Sequence, residues 1–269
     1  MANAPKRWAI QEIFTQVYKD VANTQVYTVL DDLKTINVQN DQTDVYSSGG
    51  VGNSYITAHS HSKRTTGTAT AATHKNSVLG LITGTDVVTG TATVPINGEL
   101  ITVTSDASTS EYTAVGTAGS EIIGLFEYNS DGSLGDELTQ IAATPTSGSF
   151  VYTSGTKGFA FFASEFANTT QLIAFYEATA DATTQTITND SGTFSKIVRI
   201  EMDSLVQDVC TGDEFAAKLI IFKAKMNGSW GLDLAADGDV ATLDVSFEAL
   251  KASCTNSKLF DLIIIGSLT

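Results

Sequence analysis

The last quarter of the chain constrains the fold most tightly. Residues 196–202, 217–226, 230–234, 240–250 and 259–265 are each strand-length and rich in β-branched or aromatic side chains. Asn227-Gly228 and the run Asp237-Gly238-Asp239 punctuate them with turn residues. So many strands with so little room for helix predict a predominantly antiparallel sheet or barrel. Within this sheet Leu219, Ile221, Trp230, Leu232, Leu262 and Ile264 are the expected core residues. The apolar run from Leu262 to Ile265 reads as a buried strand, far short of the ~18 residues needed to cross a bilayer.

The rest of the chain is compatible with a mainly β protein carrying one or two short helices. From Trp8 to Tyr18, apolar residues at positions 9, 13, 14, 17 and 18 fit a short amphipathic helix, though alternation fits a strand almost as well. Strands are expected at 25–30 and 34–39, separated by the Asp31-Asp32 turn. A glycine cluster, Ser47 to Asn53, lacks the Lys-Ser/Thr ending and following helix of a phosphate loop, so it reads as a connection or close backbone contact. A polar strand follows at 55–70, then a helix over 74–82, capped by Thr73 and stopped by Gly84. Between residues 88 and 180 the texture changes to short Thr- and Val-rich strands. Asn97-Gly98 and Asp131-Gly132 are type I′ hairpin signals there, and residues 149–152 and 158–162 make a further hairpin. This stretch reads as a small sandwich or hairpin domain inserted into a discontinuous domain of residues 1–87 and 181–269.

Few residues nominate chemistry. His59 and His61 lie two apart on a strand, hence on one face, but no third metal ligand is local. Exposed polar residues are the simpler reading. Asp233, Asp237 and Asp239 have the alternation of a Ca²⁺ loop without its length or closing Glu, and a turn accounts for them better. No Gly-x-Ser-x-Gly elbow is present, no pair of carboxylates stands out for glycoside hydrolysis, and no cofactor motif occurs. An enzyme is not expected. Phe159, Phe161, Phe162, Phe166, Phe175 and Tyr176 suit a domain core or subunit contact better than a carbohydrate platform. Cys210 and Cys254 are expected to be small buried hydrophobes, with a disulfide between them left open.

Charge narrows the partners. Thirty acidic and 15 basic side chains give a formal charge of −15, which opposes tight binding to nucleic acid and to anionic membranes. Apolar residues after Lys6 are interrupted too often for a secretory h-region, so folding in the cytoplasm of the producing cell is expected.

Three stretches resemble the tail tube proteins of bacteriophages. The first is a strand pair, the Ser47-to-Asn53 glycine turn, the polar strand with His59-Ser-His-Ser-Lys-Arg64, and a short helix. The second runs from Gly148 to Tyr176 and is similar to a hairpin recurrent in phage virion proteins. The third runs from Ala217 to Leu250. The resemblance implies a virion structural subunit forming hexameric rings stacked into a tube, with other tail proteins as partners. An insert at 88–180 would then lie outside the tube. DNA would pass without tight binding, since six copies at −15 each give −90 per ring. Ring closure would also satisfy unpaired sheet edges. The stretch from Gly49 to Thr73, a loop in this reading, becomes the candidate inter-ring contact, with Gly49, Gly50, Gly52, Tyr55, His59, His61, Lys63 and Arg64 as contact residues. A capsid decoration or head–tail joining protein, or a virion fibre or adhesin, would share the same composition.

Overall fold

The computed structural model describes residues 4–231 and 242–266. Two compact units divide the chain: residues 1–87 with 187–269, and residues 88–186. In chain order the elements are β1 (Trp8–Lys19), β2 (Val26–Leu30), β3 (Leu33–Ser48), β4 (Tyr55–Ala71), α1 (Asn76–Thr83), β5 (Val88–Thr89), β6 (Thr93–Thr102), β7 (Ala107–Thr109), β8 (Ile122–Tyr128), β9 (Leu134–Gln140), β10 (Ser149–Thr153), β11 (Gly158–Phe161), β12 (Gln171–Thr179), β13 (Gln185–Thr186), β14 (Ile197–Asp208), β15 (Glu214–Met226), β16 (Leu243–Ala249) and β17 (Phe260–Ile264). The protein is mainly β, its sheets antiparallel except where β9 and β10 run parallel.

The first unit is one sheet in the order β2-β1-β14-β15-β16-β4-β3, with β17 also on β15. β15 serves two partners along one edge. Ala217–Ile221 pair with β17 and Ala224–Met226 pair with β16, with a register shift between the two segments. Alternation selects the buried face. Val198, Ile200, Met202 and Val206 on β14 are buried, as are Val245 and Phe247 on β16. Helix α1 adds Val78, Leu79, Leu81 and Ile82 to this core.

That helix ends as expected at Gly84, in the left-handed conformation (φ 82°), with its amide donating to the Gly80 carbonyl at 3.0 Å. Its start differs. The N-cap is Lys75 rather than Thr73, because the Thr73 hydroxyl is engaged by the Asp32 carboxylate. The Trp8-to-Tyr18 segment is a strand. Register shifts between Ile10 and Glu12 and between Ile13 and Thr15 break its alternation, so its apolar spacing imitates a helix.

β17 forms, but Leu262 and Ile263 are 44% and 43% exposed, which corrects the buried-strand reading. Among the described residues the strand pairs only with β15, and it presents these residues to solvent. Ile221 is fully buried. Leu219 and Trp230 pack half-buried against the main core, and Ile264 packs with Trp8 against a satellite of Val206, Phe215 and Ala217. Leu232, Asp233, Asp237 and Asp239 lie outside the described residues. Cys210 and Cys254 are exposed free thiols rather than buried hydrophobes, since both occupy connections outside the strands.

The second unit is a sheet in the order β6-β12-β8-β9-β10-β11-β7. Its end strands β6 and β7 are joined only by residues 103–106, so the sheet curls until its ends approach. A bridge between Thr104 and Ala107 marks the junction. The strands β5 and β13 pair the first and last residues of the unit. Phe150, Phe159, Phe161, Leu125, Leu172 and Tyr176 fill its core and Phe166 packs against it, so most of the aromatic run is structural, while Phe162 is exposed. Asp131-Gly132 closes the β8–β9 hairpin, but only Gly132 is left-handed, and the Asn129 carbonyl accepts from its amide at 2.9 Å. The turn is thus not type I′. Asn97-Gly98 is no hairpin at all. Gly98 (φ 91°) is the extra residue of a bulge inside β6, between the pairs Asn97–Phe175 and Glu99–Ala174.

Candidate assembly surface

β3 and β4 form an antiparallel hairpin whose two halves behave differently. Near its base it belongs to the sheet: Thr65, Gly67, Ala69 and Ala71 are buried on β4. From Gln39 on β3 to Arg64 on β4 every residue except half-buried Gly49 is exposed. Neither face of this distal half is covered. At ~3.4 Å per residue, the ten residues 39–48 project about 30 Å. The segment expected as a loop from Gly49 to Thr73 is therefore mostly strand, and only its tip is a turn.

Local sequence explains the shape. The side chains at 39–44 and 57–64 are almost all polar, so neither face has apolar surface to bury. Pairing is maintained by the backbone ladder from Asn40–Thr65 to Ser48–Tyr55 and by cross-strand bonds. The Gln42 amide donates to Asp44 and to Ser60 at 2.9 Å each, and the Ser60 hydroxyl donates to Asp44 at 2.5 Å. These bonds, the Ser60 hydroxyl first and Gln42 next, hold the Asp44 carboxyl below its usual range. At the base, Arg64 meets Glu248 of β16 through two nitrogens at 2.7 and 2.9 Å, and the Thr65 hydroxyl donates to Asn40 at 2.9 Å.

At the tip, Gly50, Gly52 and Asn53 are left-handed (φ 82°, 89° and 50°), and the Asn53 amide donates to the Gly50 carbonyl. This tight reversal presents apolar groups. Val51 projects fully into solvent, Tyr55 and Ile56 are 76% and 71% exposed, and Val45 and Tyr46 are about half exposed. The Tyr46 and Tyr55 rings pair at 4.8 Å. Sequence reasoning named Tyr55 but missed Val45, Tyr46, Val51 and Ile56. The available signal was the apolar pairs Val45-Tyr46 and Tyr55-Ile56, placed symmetrically about the glycine cluster in an otherwise polar segment.

The remaining contact candidates line β4. His59 stands opposite Val45, Lys63 opposite Gln42 and Arg64 opposite Asp41. His61 is the extra residue of a bulge, since Ser60 and Ser62 oppose the consecutive residues Asp44 and Thr43. The simple two-apart argument for a shared face with His59 thus fails. Among the described residues no three His, Cys, Asp or Glu side chains gather to hold a metal ion, and no helix is long and apolar enough to cross a membrane.

The match to a family model runs from residue 8 to residue 260. The chain belongs to the YomU/Tube protein family. Membership spans both compact units and the whole projecting hairpin. It agrees with the resemblance to bacteriophage tail tube proteins and with the mainly β, antiparallel fold. A tube-family structural protein is the class that these observations share. No curated protein matches the chain significantly.

Proposed function

We propose that this chain is a virion tail tube subunit that assembles with copies of itself into stacked rings, most simply of six, around a channel for DNA. The observation that carries the reading is the β3–β4 arm, bare on both faces and tipped by apolar residues. An isolated two-stranded hairpin is marginal in water, and an exposed apolar tip is a contact surface awaiting a partner. A neighbouring ring would supply both. The outer edges of β3 and β17 each carry unpaired backbone groups among the described residues, suited to edge pairing around a ring. The role is structural, without catalysis. The −15 charge would keep passing DNA from adhering to the wall, an effect confined by screening to ~8 Å from the channel surface.

Negative-stain electron microscopy of the concentrated protein tests the reading. Hollow filaments of uniform width are expected. Discrete oligomers that bind capsids, or isolated fibres, would replace it with a decoration or fibre role.

A further inference from the structure

The outer face of the second unit is apolar where a solvent-facing antiparallel sheet is usually polar. On β12, Leu172, Ala174, Tyr176 and Ala178 belong to the unit's core, which turns Ile173 and Phe175 to the opposite face. Direct pairing carries an outward row across four strands, from Leu100 on β6 through Ile173 and Phe126 to Glu137 on β9. The Phe126 and Phe175 rings meet edge to face at 6.0 Å. Two glycines let the patch lie flat. A Cβ on Gly124 would stand 2.8 Å from the Phe126 ring, and one on Gly98 would stand 3.1 Å from Cδ1 of Ile173. Leu100 is 51% exposed, and Ile123, the extra residue of a bulge beside Gly124, is 69% exposed.

The charge of this unit is equally one-sided. Residues 88–186 contain 11 acidic side chains and one basic, Lys157, so they carry −10 of the chain's formal −15. The Lys157 ammonium donates to the Glu111 carbonyl at 2.8 Å. Glu137 ends the apolar row, and Glu177 lies two residues beyond Phe175 on the same face of β12; both are exposed. A continuous apolar patch marks a contact surface, and its acidic border selects what can cover it. A second copy brings the same −10 and meets it with like charge. Nucleic acid and anionic membranes are repelled as well. A basic protein surface with an apolar centre matches both features.

We propose that the outer face of β6, β12 and β8 docks a cationic, amphipathic segment of a different protein. Leu100, Ile173, Phe126 and Phe175 take its apolar side chains, and Glu137 and Glu177 take its lysines or arginines. The inference rests on the second unit alone and does not require the tube reading.

Fluorescence anisotropy of a labelled amphipathic Leu/Lys peptide, titrated with the full chain, tests this. Saturable binding is expected, weakening several-fold as salt is raised from ~50 to ~300 mM. Oligolysine, which has the charge without the apolar face, should bind about tenfold more weakly. Leu100→Thr with Ile173→Thr keeps good strand formers in place and should weaken peptide binding about tenfold through lost apolar burial. Glu137→Lys with Glu177→Lys changes only exposed side chains, so it reports on docking even where the threonine variant unfolds, and it should weaken binding by a similar factor. No binding up to millimolar peptide would overturn the proposal. So would oligolysine binding as tightly as the Leu/Lys peptide, or an affinity that the folded variants leave unchanged. Sedimentable assemblies of the wild type that the threonine variant fails to form would assign the face to a second copy and also overturn it. Hollow filaments whose subunits fail to bind the peptide would remove this inference and leave the tube reading standing; binding by a chain that forms no filaments would do the reverse.

Discussion

The ring of Phe247 on β16 occupies the space above Gly67, its directly paired neighbour on β4. A Cβ on Gly67 would lie 2.2 Å from the ring's Cζ. Strand glycines weaken a sheet unless something fills the gap they leave, and here the 97% buried phenyl ring fills it. Gly67→Ala should therefore cost about 1–3 kcal/mol by overpacking. Phe247→Leu in the same chain should recover part of that loss, giving non-additive urea midpoints in a double-mutant cycle. Additive effects would mean that ring and glycine do not constrain one another.

Gly84 is constrained twice. Its φ of 82° is left-handed, and an added Cβ would meet the Phe194 carbonyl oxygen at 2.0 Å. Conformational strain of ~1–2 kcal/mol then adds to a clash with backbone that has no rotamer to yield. Gly84→Ala should lower the stability of the first unit by ~2 kcal/mol or more, seen as a lower urea midpoint. An unchanged midpoint would show that the turn after α1, or the segment around Phe194 that enters β14, can shift.

Of these two glycines, only Gly84 was legible in the sequence. The stop of α1 at Gly84 and four of the five strands expected in the last quarter follow from residue type and period, because local propensity and tertiary packing agree there; the fifth, at 230–234, begins in irregular backbone at Trp230 and Gly231 and then leaves the described residues. Elsewhere a bulge decides, and bulges have no composition of their own. Two of them made β1 imitate a helix, one turned Asn97-Gly98 into the middle of β6, and one at His61 broke the shared-face argument with His59. The arm was half legible: its two strands and glycine tip could be read, but not that both faces stay bare. The absence of apolar alternation over 39–44 and 57–64 was the signal for that. Leu262 and Ile263 looked buried because apolar strand residues usually are, and only the topology reveals that, among the described residues, β17 pairs with β15 alone.

The cysteines supply a check on exposure. Cys210 lies in the β14–β15 turn and Cys254 between β16 and β17, both exposed and unpaired. Both thiols should react with a disulfide reagent in the native protein, at rates within about tenfold of a free thiol at the same pH. Reaction only after denaturant is added would restore the buried reading.

Glu201 on β14 is gripped from both sides, by Lys19 at 2.7 Å and Arg199 at 2.7 Å. Its partial burial alone would raise the carboxyl, but the hydrogen bonds and charges of Lys19 and Arg199 outweigh it, and the net shift is downward from 4.5. A depressed carboxylate stabilises the fold fully above its unfolded value, and that contribution fades as pH falls through the folded one. Glu201→Gln should thus cost ~1 kcal/mol at pH 7, a modest figure because the cluster is partly solvated. The gap between variant and wild type should narrow as the pH drops below 4.5 toward 3. Urea titrations at neutral and acid pH measure both; a gap that widens in acid would reverse the assignment.

The arm tip separates folding from assembly. Val51 and Ile56 are 105% and 71% exposed, so replacing them removes little burial on folding. Surface changes of this kind usually fall within ~0.5 kcal/mol. Val51→Asp with Ile56→Ser should leave thermal unfolding of the dilute protein unchanged, yet abolish sedimentable assemblies at concentrations where the wild type forms them. A desolvated aspartate facing an apolar partner would cost more than the contact returns. A control at Val88, also exposed but on the second unit, should assemble normally as Val88→Asp. Tubes formed by the tip variant at wild-type concentrations would remove the apolar tip from the assembly contact. A large loss of thermal stability in it would instead place the tip inside the folded subunit's own packing.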